Sequence, residues 1–179
     1  MYNKTYRNKI LIGGVCVKFY IKQKLFSLGD NFSIKDISGN DVFKVEGKIF
    51  SIGNKLKIYD MNSNEIVYIE QKLFKLLPEY NIYLNGNYAA KVKKEFTFFS
   101  NKFHIESNMG DYEIKGDFLA HDFSIIKNGI SISEINKKWV SWGDTYEIDI
   151  NESENYAFIL AMVIVIDQVL HDNKNQNNG

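Results

Sequence analysis

YAFILAMVIVIDQVL, residues 156–170, decides how the rest of this chain must be arranged. Only Asp167 and Gln168 interrupt it, so a helix over these residues has no polar face and must be buried on all sides. A helix that crosses a bilayer needs about 20 apolar residues, and here the unbroken run ends after 11, at Ile166. The segment therefore reads as the core of a protein that is not transmembrane. The remaining chain has to supply the container.

That container is a repeat. IKQKLFSLGDNFSI (21–34), VEGKIFSIGNKLKI (45–58), IEQKLFKLLPEYNI (69–82), VKKEFTFFSNKFHI (92–105) and INKKWVSWGDTYEI (135–148) align without a gap. IKGDFLAHDFSI (114–125) fits as a copy two residues shorter. Within each unit, apolar and polar residues alternate on both sides of a central turn, the pattern of two half-buried strands. Turn signals such as Ser38-Gly39-Asn40-Asp41, Asn85-Gly86-Asn87 and Asn128-Gly129 join one unit to the next. Six units predict about twelve antiparallel strands. Pro78 falls in a turn, where it removes no ladder donor.

The alternation assigns the faces. Positions one and five of the first strand are apolar: Ile21 and Leu25, Val45 and Ile49, Ile69 and Leu73, Val92 and Phe96, Ile114 and Phe118, Ile135 and Trp139. Positions two and four are mostly charged, as in Glu46 and Lys48 or Lys115 and Asp117. A lipid-facing barrel needs the reverse arrangement, so the charged set points to water. A closed sheet of more than eight strands leaves a lumen to fill, and an apolar lumen calls for an apolar plug. The fold class is therefore mainly β: a closed antiparallel barrel of about twelve strands around a central hydrophobic C-terminal helix. Fifteen helical residues span roughly 22 Å, close to the roughly 17–20 Å of a typical strand. Asn151 with Glu154 three residues later has the pattern of a capping box that starts the helix.

Composition excludes more than it identifies. Lys plus Arg and Asp plus Glu both total 22 of 179 residues, so no global field draws the protein to nucleic acid, and Arg7 is the single arginine. Cys16 is the single cysteine, which rules out a disulfide framework and a thiolate metal cluster and fits a reducing, cytoplasmic setting. It reads as a small buried apolar residue rather than a reactive thiol. The apolar stretch 10–17 near the start has no small-x-small site and does not read as a secretory signal. The chain divides into an N-terminal extension (1–19), a barrel domain (20–172) and a disordered polar tail (173–179).

The block QKLFSLGDNFSIKDISGNDVFKVEGK, the later KKWVSWGDTYEI and the ending LAMVIVIDQVLHD resemble the LURP-one-related family of the tubby C-terminal-like group. The resemblance covers residues 20–172 and implies a twelve-stranded barrel around a central C-terminal helix, a fold related to the phospholipid scramblases. It implies no agreed catalytic activity. The basic pocket of tubby-type phosphoinositide binding has no matching positions here.

No catalytic signature competes with that implication. His104, His121 and His171 lack metal-ligand spacing and read as turn or surface residues. Gly13-Gly14 lacks the rest of a phosphate loop, and no serine sits in a nucleophile elbow. Asp167 interrupts the buried helix, where an unpaired carboxylate is costly. It is expected to accept hydrogen bonds or to meet a lysine at the barrel mouth. Trp139, Trp142 and Phe98 read as core. The densest basic pairs, Lys93 with Lys94 and Lys137 with Lys138, are the candidate binding surface. The expected function is a non-enzymatic binding or scaffold domain recognising a protein or an anionic phospholipid headgroup, with scramblase-like or lipid-transfer activity as the alternative. No cofactor and no metal are expected.

Overall fold

A computed structural model describes residues 14–22, 31–48, 53–95, 102–117, 120–140 and 143–176. It has twelve strands in these residues: β1 (Cys16–Lys22), β2 (Phe32–Lys35), β3 (Asp41–Lys48), β4 (Lys55–Tyr59), β5 (Glu65–Gln71), β6 (Glu79–Leu84), β7 (Asn87–Glu95), β8 (Lys102–Ser107), β9 (Tyr112–Asp117), β10 (Asp122–Lys127), β11 (Ile130–Val140) and β12 (Gly143–Asn151). Each strand pairs antiparallel with its sequence neighbours, and β1 closes on β12 to complete the barrel. One helix, α1 (Tyr156–Gln176), follows.

The repeat is visible in the register. Each unit's first and last residues lie opposite each other: Val45 and Ile58, Ile69 and Ile82, Val92 and Ile105, Ile114 and Ile125, Ile135 and Ile148. Tyr20 opposite Lys35 keeps the same register in the first unit. These pairs face the lumen, and apart from Ile105 and the half-buried Ile114 they are fully enclosed. The charged neighbours Glu46, Lys93, Glu95, Lys115 and Asp117 are exposed.

α1 fills the lumen. Residues 157–167 expose 7 % of their surface or less, and the helix lies nearest β5, β6 and β7. Phe158 meets Tyr112 edge-on at 5.7 Å between ring centroids. Each fully buried Ile, Leu or Phe contributes about 1.5–3 kcal/mol, so plug and wall stabilise one another.

Strand direction gives the barrel two dissimilar rims. Turns between units, together with the start of α1, form an entry rim, and turns within units form an exit rim. At the entry rim Asn85-Gly86 and Asn128-Gly129 have φ values of 48°, 78°, 50° and 81°, the left-handed pairs that tight hairpins require.

Four expectations change. Helix α1 is capped by Asn155, not Asn151. Asn155 Oδ1 accepts from the Phe158 amide at 2.9 Å, and its carbonyl accepts from the Ile159 amide at 3.1 Å. Asn151 is still in β12, and its side chain folds the intervening turn by accepting from Ser153. Glu154 reaches Lys127 instead, at 2.9 Å. Second, α1 runs on to Gln176, into the stretch expected to be a disordered tail, because 171–176 contain no Gly or Pro to stop it. Third, Leu73 at position five is 39 % exposed rather than interior, since β5 has ended at Gln71 and the alternation with it. Leu25, Ile49, Phe96 and Phe118 lie outside the described residues. Fourth, the barrel begins before residue 20, with 16–19 already paired to β12.

Candidate functional site

The described ladder is thin at two places in the barrel wall, between β8 and β9, where Ile105 with Tyr112 is the one described pair, and around β2. This strand has four residues between β1 with seven and β3 with eight, and one described ladder pair, Tyr20 with Lys35, joins it to β1. On the side facing β2, parts of its longer neighbours have no described ladder partner. Two clefts result, and both reach Asn31, the residue just ahead of β2. The smaller, of about 360 Å³, is lined by Tyr20, Lys22, Phe32, Ser33, Lys35, Asp41 and Thr145. The larger, of about 640 Å³, is lined by Glu46, Gly47, Lys55, Lys57, Glu65 and Tyr68.

Their electrostatics differ. In the larger cleft two lysines meet two glutamates. Lys57 donates to Glu65 at 2.7 Å and lies 6.0 Å over the Tyr68 ring, and the Glu65 hydrogen bond holds its ammonium above the ordinary lysine value. In the smaller cleft two lysines meet one aspartate. Asp41 accepts from Lys35 and from Ser33 at 3.0 Å, and these bonds, the lysine's first, hold its carboxyl below the usual range. Lys22 is exposed. The Tyr20 hydroxyl donates to Glu147 at 3.0 Å, and burial followed by this bond pushes its pKa up. The smaller cleft thus has a surplus of positive charge together with the Asn31 amide, a suitable environment for an anionic oxygen group.

A second polar constellation lies inside the lumen. The Tyr146 hydroxyl donates to Asp167 Oδ1 at 2.7 Å and lies 3.0 Å from His121 Nδ1. The Tyr146 oxygen thus stands between the helix carboxyl and the imidazole of the wall. All three groups are buried, so the trio ties α1 to the wall near the exit rim. Asp167 accepts a hydrogen bond as expected. His121 does not match the surface reading: it sits in a turn, but at φ 54° in the unit that is two residues shorter, and the tighter connection turns it inward. The same unit brings Gly116 so close to the next strand that a Cβ there would lie 2.4 Å from the Asp122 carbonyl oxygen.

The four lysines singled out in the sequence do not form one site. Lys93 is exposed, while Lys94 is half-buried and burial lowers its ammonium pKa. Lys137 and Lys138 are exposed four strands away on β11, roughly 19 Å around the wall at about 4.8 Å per strand. Lys138 faces Glu147 at 3.9 Å. His104 is on the surface, 3.7 Å from Glu106. Cys16 opens β1, its thiol pushed up by burial and then by Asp149, the opposite of a reactive thiolate. Phe98 and Trp142, and the side chains of Trp139 and His171, lie outside the described part. Among the described residues no three metal-ligating side chains converge. Sequence reading missed Lys22, Asn31 and Lys35 because they stand out only once β2 is known to be short. It missed the trio because residues 121, 146 and 167 come together only on closure.

Comparison with known proteins places this architecture. The LURP-one-related family model matches residues 17–167. The uncharacterized protein YxjI of Bacillus subtilis (strain 168) is 37% identical over 161 residues, covering 90% of this chain and 98% of its own. An X-ray structure of an Arabidopsis thaliana protein shares the fold with a TM-score of 0.65 at 18% identity, covering 88% of this chain and 93% of that one.

Proposed function

We propose that this chain, which belongs to the LURP-one-related family, works as a non-enzymatic binding module whose ligand presents a phosphoryl group to the smaller cleft beside Asn31. One observation carries the reading: α1 packs the lumen, while the wall opens at β2 into a cleft where Lys22 and Lys35 outnumber Asp41. Lysines act there as point charges, with the Asn31 amide as a neutral donor. The larger cleft, balanced in charge, would hold the uncharged remainder of the ligand. Lipid transfer or scrambling finds less support. The helix would have to leave a laddered wall, and no described helix is long and apolar enough to cross a membrane.

The test is titration of the full chain with inositol 1,4,5-trisphosphate and, separately, with inorganic phosphate at two salt concentrations. Binding of the headgroup at low salt is expected to weaken with salt and to fall about tenfold, or about 1.4 kcal/mol, in Lys22→Glu. Lys115→Glu, on the far wall, should leave it unchanged. Equal binding by Lys22→Glu and the parent chain would overturn the cleft assignment, and no binding of either probe at low salt would overturn the module itself.

A further inference from the structure

The exit rim carries an apolar tip. Between β5 and β6 the chain runs Lys72-Leu73-Phe74-Lys75-Leu76-Leu77-Pro78, and Phe74 is 101 % and Leu76 98 % exposed. The loop is anchored at its base. Gln71 and Lys72 amides donate to Asn54 and Glu79 carbonyls at 2.9 and 2.8 Å, and the Pro78 carbonyl accepts from the Lys94 amide at 3.1 Å. Leu73 packs on Gly53 so closely that a Cβ there would meet it at 2.9 Å. Phe74 itself sits at φ 58°, a left-handed conformation that a bulky side chain rarely adopts. A strained backbone on a fixed base thus holds two apolar side chains out in water.

We infer that this loop docks the barrel onto an anionic lipid surface, with Phe74 and Leu76 entering the interface. Charge and exposure favour that partner over a protein. Lys75 stands exposed between the two apolar residues, while Lys72 donates to Glu70 at 3.1 Å at the base of the loop. Phe74 and Leu76 stand on either side of Lys75 and are almost wholly exposed, and apolar side chains flanking a lysine suit the boundary between headgroups and acyl chains. The neighbouring strand also connects the tip to the clefts: Glu70, two residues before Lys72, pairs across the ladder with Lys55 of the larger cleft. The inference rests on the phosphoryl-binding reading in taking a lipid headgroup as the source of the anion.

Flotation of the full chain with phosphatidylcholine vesicles, with and without 30 mole per cent of phosphatidylserine (about the anionic fraction that gives a strongly negative surface), tests it. The parent chain is expected to float with the anionic vesicles. Phe74→Ser/Leu76→Ser is expected to lose at least tenfold in partitioning while keeping its thermal melt and its binding of soluble inositol trisphosphate, and Lys75→Glu to lose a smaller factor. Flotation of the double variant equal to the parent chain's overturns the inference. So does a parent chain that binds the soluble headgroup and floats with neither vesicle, a result that spares the cleft reading. If Lys22→Glu loses soluble headgroup binding but still floats through Phe74, both readings stand, with the tip providing the anchorage. If the double variant alters only self-association in sedimentation, the tip serves a second copy of the chain and the membrane inference fails.

Discussion

The two rims of the barrel are made from the same repeat, and their described turns are held in different ways. At the entry rim the chain turns on polar side chains. Asp36 Oδ1 accepts from the amides of Ser38 and Asn40 at 2.8 and 2.9 Å, and 24 residues later Asp60 Oδ1 accepts from Asn62 and Asn64 at 2.9 and 2.8 Å. In each turn the asparagine amide closes the ring on Oδ2, at 3.0 and 2.8 Å. At the exit rim the described β5–β6 connection shows Phe74 and Leu76 to solvent. The entry rim closes its turns on its own side chains and still exposes Ile37 at 71 % and Ile130 at 51 %. At the exit rim two side chains of one anchored loop stand almost wholly in water, so the described contrast between the two ends is one of degree and of backbone geometry.

The largest effect should come from removing what both rims enclose. A chain ending at Asn155 loses the whole apolar plug, more than the about 5–15 kcal/mol of a domain's net stability, and should be molten or aggregated by near-ultraviolet circular dichroism and size exclusion. A soluble truncation with an unchanged cooperative melt would sink the central-helix argument. Next, Tyr146→Phe removes the hydroxyl that Asp167 and His121 share at the exit end and should cost about 1–3 kcal/mol in urea unfolding, with the m-value unchanged. At the entry end, Asn155→Ala removes the helix cap and should cost about 1 kcal/mol in the same experiment.

Acid separates the rims without mutation. Asp36 and Asp60 have pKa values lowered by their asparagine partners, Asn40 and Asn64, the side-chain bond first and the backbone bond second. A depressed carboxylate stabilises the fold above its unfolded pKa, and that contribution is lost as pH falls through the folded value. The entry rim should therefore weaken from about pH 4 downward, and an Asp36→Asn/Asp60→Asn chain should show a flatter acid limb in its melting temperature. An acid limb identical to the parent's would assign the loss to other carboxylates. The smallest stability change belongs to Phe74→Ser/Leu76→Ser, within about 0.5 kcal/mol, because those side chains pack against nothing. A clear destabilisation would mean that they do.

Much of this was legible in the residues. Period-two alternation names lumen positions such as Ile69 and Ile82 because a strand offers two faces and one must be dry. The six-unit repeat gives the number of strands, and an all-round apolar helix requires enclosure. The helix cap was misassigned because Asn151 and Asn155 both precede acceptable first turns, and the choice depends on where β12 stops pairing. The clefts were not legible because they arise from a mismatch of strand lengths around β2.

The sequence by itself determined the strand count, the charged exterior and the need for a central helix, since these follow from local periodicity and from the cost of wetting apolar surface. Only the tertiary structure decided that Lys93 and Lys94 lie far from Lys137 and Lys138, that Tyr146 joins His121 to Asp167, and that Lys22 and Lys35 share an opening. Those are distances between residues remote in sequence, set by the register in which the barrel closes, and no local pattern encodes them.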